Sequence, residues 1–366
     1  MNASGEVART PRTVEVRTGA RLHFGPLASG AEAGRCFGGI GMMVAEPAIV
    51  FRVFEHSVER YVGCSAETSE RIRKLRASWG RSASGPSNHD RLEADPTKAL
   101  SWEFTSPPVE HAGFGTGTQL SLAVASVLAR REPAPWPMVT EIAQRCGRGR
   151  RSAIGLHGFA QGGFLVDAGQ AGQGTLGELA VRLPVPETWR VLILRPRDRT
   201  QGLHGAKELA AFEALAPMAP ALTDRLCRLT LMEILPALQS GDCLAFGAAV
   251  AEYGQAIGTY FAPVQGGVFA DPRVRELDRD WPELGQRLVQ SSWGPAVVTF
   301  APSEAAAGHL REQIIQRTDP QQWQIDVVSP LNEGATVRVS ESSQSSVVSC
   351  QSGELLTPSL PSVDQP

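Results

Sequence analysis

Residues 111–119 read His-Ala-Gly-Phe-Gly-Thr-Gly-Thr-Gln, with Gly113, Gly115 and Gly117 at alternate positions, and run straight into the apolar stretch Leu120 to Ala129. Glycines spaced this way let the backbone pass close to a ligand. A helix starting there points unpaired N–H groups and the positive end of its dipole at an anion. The hydroxyls of Thr116 and Thr118 and the amide of Gln119 add polar groups, so phosphate is the ligand this pattern suits. Thr118 stands where a dinucleotide fingerprint needs glycine, and no Gly-Lys-Ser/Thr follows, so neither common nucleotide loop is present. A glycine-rich strand-to-helix turn with no ligand is the competing reading.

A second cluster, Cys146-Gly-Arg-Gly-Arg-Arg-Ser152, sets Arg148, Arg150 and Arg151 beside a hydroxyl. The guanidinium fork binds phosphate bidentately and keeps its charge, so three of them suit a ligand with more than one phosphate; a solvated basic turn is the alternative. Nearer the N-terminus, Arg21-Leu-His23-Phe-Gly25 and Arg35-Cys-Phe-Gly-Gly-Ile-Gly41 add two arginines and a histidine. His23 has the chemistry of a general acid or base or of a hydrogen-bond donor, although a lone histidine beside aromatics is more often structural. Ser291-Ser292-Trp293-Gly294 and Asn332-Glu-Gly-Ala335 are polar turns, weak singly. Glu110 and Asp167 are the acidic residues beside these clusters and are candidates to hold Mg²⁺. There is no HExxH helix, no His/Cys ligand spacing and no GxSxG elbow, which leaves zinc hydrolysis and α/β-hydrolase chemistry unsupported.

The elements that must position these groups follow from periodicity. Val14 to Arg17, Ile49 to Phe54 and Trp102 to Thr105 read as strands, Ile72 and Leu75 as a helical patch, and Ser82 to Asn88 as an exposed loop. The helix after the glycine loop is apolar nearly all round and ends at Arg130-Arg131 before Pro133, which predicts a buried central helix. Gly162 to Asp167 reads as a turn into a buried strand. Prolines at 184 and 186 mark a boundary, after which strands at Val191 to Leu194, Ala296 to Phe300 and Trp323 to Val328 alternate with helices at Arg225 to Leu238, Cys243 to Tyr253 and Ser303 to Arg317. The expected organisation is an N-terminal unit over 12–185, a C-terminal unit over 186–339, and a Ser/Gln/Pro-rich disordered tail over 340–366.

The 366 residues, 42% hydrophobic and 20% charged, supply apolar material for two ordinary domains. A net charge of −3 creates no global basic field, so nucleic acid is not an expected partner and any anion site is local. The six scattered cysteines form no CxxC pair and are expected to be reduced structural thiols. With no signal-like apolar segment near Met1 and no membrane-length apolar run, the chain is expected to be cytoplasmic and to have no membrane partner.

Taken in order, Arg21 to Gly25, Arg35 to Gly41, Glu110 to Ala125, Gly147 to Gly155, Gly162 to Gly169, Ser291 to Ala296 and Asn332 to Ala335 resemble the GHMP superfamily, and within it the β-ribofuranosylaminobenzene 5′-phosphate synthase family of methanopterin biosynthesis. Superfamily kinases carry Ser-Gly-Ile-Asp in the second motif, whereas this chain has Ser152-Ala-Ile-Gly155. The missing aspartate argues against phosphorylating an alcohol with ATP and fits the synthases. Phe114, Ala153 and Pro26 depart from the synthase pattern, and Glu67 to Lys98 and the tail look like additions.

The resemblance implies an α+β, GHMP-kinase-like two-domain fold with a ferredoxin-like C-terminal half, and a homodimer. It implies a decarboxylating transfer from phosphoribosyl pyrophosphate, with Mg²⁺, to 4-aminobenzoate or 4-hydroxybenzoate. In that reaction His23, Arg150 and Arg151 are the expected catalytic residues. The expected substrate contacts are Arg21, Arg35, Arg148, Ser152, Ser292, Asn332 and the loop residues Gly113 to Gln119. Two other readings remain open, a small-molecule kinase of the same superfamily and a ligand-binding paralogue without turnover.

Overall fold

Val14 and Val16 alternate with charged residues, and on the stretch that follows Ala20, Leu22 and Phe24 alternate with Arg21 and His23. That period of two makes one long strand, β1 (Thr13–Gly25), with an irregularity between Thr18 and Ala20. A computed structural model describes residues 13–30, 34–79, 99–130, 138–149, 151–172, 174–198, 210–211, 214–341 and 344–349.

The chain continues through β2 (Gly39–Glu55), β3 (Arg60–Val62), α1 (Ala66–Trp79), β4 (Leu100–Ser106), α2 (Thr116–Arg130), α3 (Val139–Arg145), α4 (Ile154–Gln161), β5 (Phe164–Asp167) and β6 (Leu179–Leu183). Its second half runs β7 (Arg190–Pro196), α5 (Pro220–Leu229), a π-helical turn over Thr230–Ile234, α6 (Leu235–Ser240), α7 (Cys243–Gln265), α8 (Pro272–Asp280), α9 (Pro282–Gly285), β8 (Val289–Gln290), β9 (Val297–Ala301), α10 (Glu304–Arg317), β10 (Trp323–Val328), β11 (Thr336–Glu341) and β12 (Gln344–Ser349).

The first sheet has the order β12-β11-β1-β2-β4-β3, with β5 paired to the N-terminal part of β2 and β6 to β5. The second sheet has the order β10-β7-β9-β8, all antiparallel. Its connectivity, strand-helices-strand-strand-helix-strand with the first strand between the fourth and third, is the ferredoxin-like arrangement.

One core lies on the helix side of the first sheet, where Val16, Phe51 and Trp102 meet Leu120, Leu122 and Val124 of α2. A second is continuous between the two halves, joining Leu22, Phe24 and Met42 to Phe246, Tyr253 and Phe300. A third packs Leu192, Leu194 and Val297 against Leu310 and Ile314 of α10. The shared second core fixes β1 against α7.

Helix α2 is buried along nearly its whole length, as its all-round apolar pattern predicts. Two expectations need correction. Of the stretch 340–366 read as a disordered tail, residues 344–349 form strand β12, β11 pairs with β1 from Thr13↔Ser340 to Arg17↔Thr336, and residues 350–366 lie outside the described residues. The chain therefore re-enters the first sheet across the expected boundary at 339, because hydrogen-bonded pairing needs no apolar run of its own. The stretch from Glu67, expected to carry a helical patch at Ile72 and Leu75 but to be an addition, opens as a helix whose Ile72 and Trp79 are buried in the α2 core, which makes it part of the fold. Ser82 to Asn88 lie outside the described residues.

Candidate active site in the cleft between the two sheets

Arg21 and His23, two residues apart on β1, share one strand face and line a cleft of about 310 Å³. Three contacts lock the neighbouring segments to this strand. The Arg21 amide donates to Phe114 C=O (2.9 Å), the His23 amide donates to Ser291 Oγ (3.1 Å), and the Ser292 amide donates to His23 C=O (2.7 Å). Ser291 Oγ in turn donates to Gly113 C=O (2.7 Å). The glycine loop, β1 and the turn after β8 are thus one hydrogen-bonded unit, from which Arg21, His23, Thr118 and Ser292 line the cleft, while Gly113, Gly115, Thr116, Gly117 and Gln119 are not among its lining residues.

Gly115 has φ +63°, and a Cβ there would lie 2.4 Å from Arg21 Nε. The position requires glycine for both reasons, and the loop presses its backbone onto the arginine. Helix α2 starts immediately after, its first turn braced by Thr116 Oγ1 donating to Val109 C=O (3.1 Å). Thr118 faces the cleft, while Gln119 is fully buried, accepting from Thr18 Oγ1 (2.7 Å) and donating to Gly155 C=O (2.8 Å).

The arginine cluster reaches the same cleft. Arg148, Arg151 and Ser152 line it. Arg148 Nη2 donates to Ser121 Oγ (2.8 Å), which donates to Gly117 C=O (2.7 Å), so this guanidinium is tied to the first turns of α2. Arg150 lies outside the described residues. The apolar part of the lining comes from α7, the segment that follows it and the turn after β8. Ile257, Phe261, Val268 and Trp293 line the cleft from there, with Phe261 and Trp293 stacked at 4.5 Å between ring centroids.

Several residues expected in the site are instead used to build it. Arg35 donates to Ala168 C=O (2.8 Å) and Gly169 C=O (2.9 Å) and pairs with Glu178, so its guanidinium holds a turn rather than facing the cleft. Asn332 is a brace, its side-chain amide accepting from the Val185 N–H and donating to the Val185 C=O, both at 2.8 Å. Asp167, expected beside Glu110 at a metal, is fully buried and accepts from the amides of Ala153 (2.6 Å) and Gly169 (2.8 Å). Burial nevertheless pushes its carboxyl up from the usual range. Among the described residues, Glu110 comes together with Glu67 and His111, whose ligand atoms all lie within 4.8 Å of one another on the flank of the glycine loop. Two carboxylates and an imidazole are a donor set that can take a divalent cation, and the carboxylate oxygens suit Mg²⁺.

His23 is nine-tenths buried, and its Nε2 is buried with no hydrogen-bond partner. Burial first, and the charge of Arg21 second, hold its pKa well below the usual histidine value. The imidazole is therefore neutral at neutral pH. The Cys146 thiol at the start of the arginine cluster is pushed up to about 11 by burial, which leaves it protonated and structural.

Three curated relatives align along most of the chain. The β-ribofuranosylphenol 5′-phosphate synthase of Methanothermobacter thermautotrophicus is 29% identical over 334 residues, covering 87% of this chain and 97% of the relative. The synthase of the same name from Archaeoglobus fulgidus is 28% identical over 312 residues, covering 80% and 89%. The chain is a homologue of these synthases. No family model matches it.

Solved structures similar to this synthase homologue include mevalonate pyrophosphate decarboxylase from Streptococcus pyogenes (TM-score 0.59, 11% identity, 88% of this chain and 98% of that one). Homoserine kinase from Cytophaga hutchinsonii is also similar (TM-score 0.56, 12% identity, 92% and 100%). These likenesses show that the fold is GHMP-kinase-like, as the motifs implied. No helix among the described residues is long and apolar enough to cross a membrane.

Sequence reading missed the apolar wall. Trp293 stood inside a quoted motif but was not given a site role, and Phe261 sits in a helix whose apolar pattern reads as core. The small residues Gly254 and Gly258, four apart on α7 and both lining the cleft, are the signal that could have located that helix face.

Proposed function

We propose that the cleft carries out a decarboxylating phosphoribosyl transfer, joining phosphoribosyl pyrophosphate to 4-hydroxybenzoate and releasing carbon dioxide and pyrophosphate. The observation that carries this reading is the pairing of two unlike walls. Arg21, Arg148, Arg151 and Thr118 in the first turn of α2 line the same cleft as the Phe261–Trp293 stack. The relatives' name, which specifies a ribofuranosylphenol phosphate product, favours the hydroxy acid over 4-aminobenzoate.

The chemistry demands such an arrangement. The bond from the anomeric carbon to pyrophosphate breaks as negative charge gathers on the leaving group, and fixed cations and backbone N–H groups aimed there lower the barrier. The ring carbon bearing the carboxylate attacks the anomeric carbon, which requires the aromatic ring to be held against it with its face shielded from water. Carbon dioxide then departs and aromaticity returns. A bound Mg²⁺ would add charge neutralisation, with Glu67 and Glu110 as its oxygen ligands and His111 beside them. No protein nucleophile is needed.

Gly155 supports this reading over a kinase. A Cβ at this position would meet Thr118 Cγ2 at 3.1 Å, so glycine lets α4 approach the first turn of α2, and the chain offers no carboxylate where the superfamily kinases carry aspartate. The test is incubation of purified protein with phosphoribosyl pyrophosphate, Mg²⁺ and either acid, with products identified by mass. A ribosyl-phenol phosphate carrying no carboxylate supports the proposal. Conversion of neither acid, or formation of ADP from ATP with an alcohol, would refute it.

A further inference from the structure

One of the polar side chains lining the cleft is His23, whose Nε2 is buried without a hydrogen-bond partner. Its backbone is tied down on both sides, by Ser291 Oγ at its N–H and by the Ser292 amide at its C=O, which fixes the point on β1 from which the ring projects. The side chain itself makes no hydrogen bond among the described residues. Burying a polar nitrogen without a partner is unfavourable, and such groups in folded proteins most often await a ligand, a proton or a water.

The location fits one task. His23 lines the cleft from β1, two residues from Arg21, and the same lining includes Phe261 and Trp293. The charged side chains lining the cleft, among the described residues, are Arg21, Arg148 and Arg151, all cations that keep their charge. None of them can accept a proton. A phenol in this cleft therefore meets one side chain with the basicity to take its proton, and the surrounding cations favour the resulting phenolate.

We propose that His23 is the general base that withdraws the para-hydroxyl proton of the acceptor and returns it to the product, and so makes the site one for phenolic acids. This deepens the function proposed above and rests on it. The proton passes from the phenol to the imidazole while an oxygen lone pair moves into the ring. The carbon bearing the carboxylate forms its bond to the anomeric carbon as the bond to pyrophosphate breaks. The bond to the carboxylate then breaks, releasing carbon dioxide, and its electron pair restores the aromatic ring and returns the charge to the phenolate oxygen. That oxygen takes the proton back from His23, so the cycle closes with no other acid or base. The neutral resting imidazole, set by burial, is the form able to accept.

The experiment compares wild type with His23→Gln and His23→Ala, each checked for folding by circular dichroism, measuring carbon dioxide release from 4-hydroxybenzoate and 4-aminobenzoate across pH 7 to 10. With the hydroxy acid, loss of the base is expected to lower turnover about a hundredfold at pH 7. The deficit is expected to shrink as the pH approaches roughly 10, where a phenol ionises without help. An arylamine pushes electrons without losing a proton, so any turnover of 4-aminobenzoate is expected to fall far less. A deficit that stays constant with pH, or no deficit, would overturn the proposal and leave His23 a structural residue. Wild-type turnover of the amino acid alone would also overturn it. Turnover of neither acid by wild type would sink the proposed function itself.

Discussion

The two walls of the cleft are built on opposite principles. The wall from the first sheet is polar and over-braced: Arg148 is tied through Ser121 to Gly117, Gly115 lies against Arg21, and Gln119 joins Thr18 to Gly155. The wall from the second half presents the aliphatic and aromatic side chains of Ile257, Phe261, Val268 and Trp293, and its polar lining groups, Gln265 and Gln290, are hydrogen-bonded to each other and to the backbone. A charged, leaving phosphate must be met by donors already in place, because reorganising them during the reaction costs the stabilisation they offer. An aromatic ring needs only a flat, water-excluding surface, where area does most of the work. The cleft thus divides its labour between pre-set dipoles on one side and desolvation on the other.

That division can be broken one side at a time. Arg151→Ala should have the largest effect, about a hundredfold or more in turnover, together with weakened inhibition by pyrophosphate in steady-state kinetics. Unchanged values for both would remove Arg151 from the phosphate wall. Gly115→Ala comes next: its Cβ collides with Arg21 in a left-handed backbone, so phosphoribosyl pyrophosphate binding by calorimetry should weaken about tenfold or more. An unaltered dissociation constant would show that the loop does not set the donor site.

Trp293→Leu acts on the other wall. It should raise the KM for the aromatic acid roughly tenfold and leave donor affinity in place. Equal losses for donor and acceptor would erase the distinction between the walls. The smallest effect concerns stability. His23 stays neutral when folded but takes a proton near its usual value of 6.5 when unfolded, so the unfolded state binds the extra proton as pH falls. The stabilisation is fully present above 6.5 and is lost on acidification, at up to about 1.4 kcal/mol per pH unit below it. Chemical denaturation at pH 5 and 7 should show a shallower pH dependence for His23→Gln, and an identical one would mean that His23 protonates freely in the fold.

The polar wall was the legible one. Alternating glycines followed by an apolar helix, and arginines spaced by glycines, are local patterns whose chemistry is visible in the residues themselves. Arg21, His23, Thr118, Arg148, Arg151, Ser152 and Ser292 do converge on one cleft. The apolar wall was hidden because a tryptophan lining a cleft looks in sequence like one in the core, and Trp293 belongs to both.

Arg35, Asp167 and Asn332 misled for a related reason. Each spends its polar atoms on backbone groups, and a guanidinium on carbonyls is written with the same letter as one on phosphate. In the fold, the alternating strands and helices of the second half were legible in their periodicity, whereas its ferredoxin-like arrangement was implied only by the family resemblance. The return of β11 to β1 did not, because it depends on register with residues more than three hundred positions away.

The most direct test of the reaction is its stoichiometry: carbon dioxide from carboxyl-labelled 4-hydroxybenzoate counted against pyrophosphate from phosphoribosyl pyrophosphate, without ATP. The proposed transfer predicts equal amounts of both. Pyrophosphate without carbon dioxide, or carbon dioxide only when ATP is supplied, would contradict it.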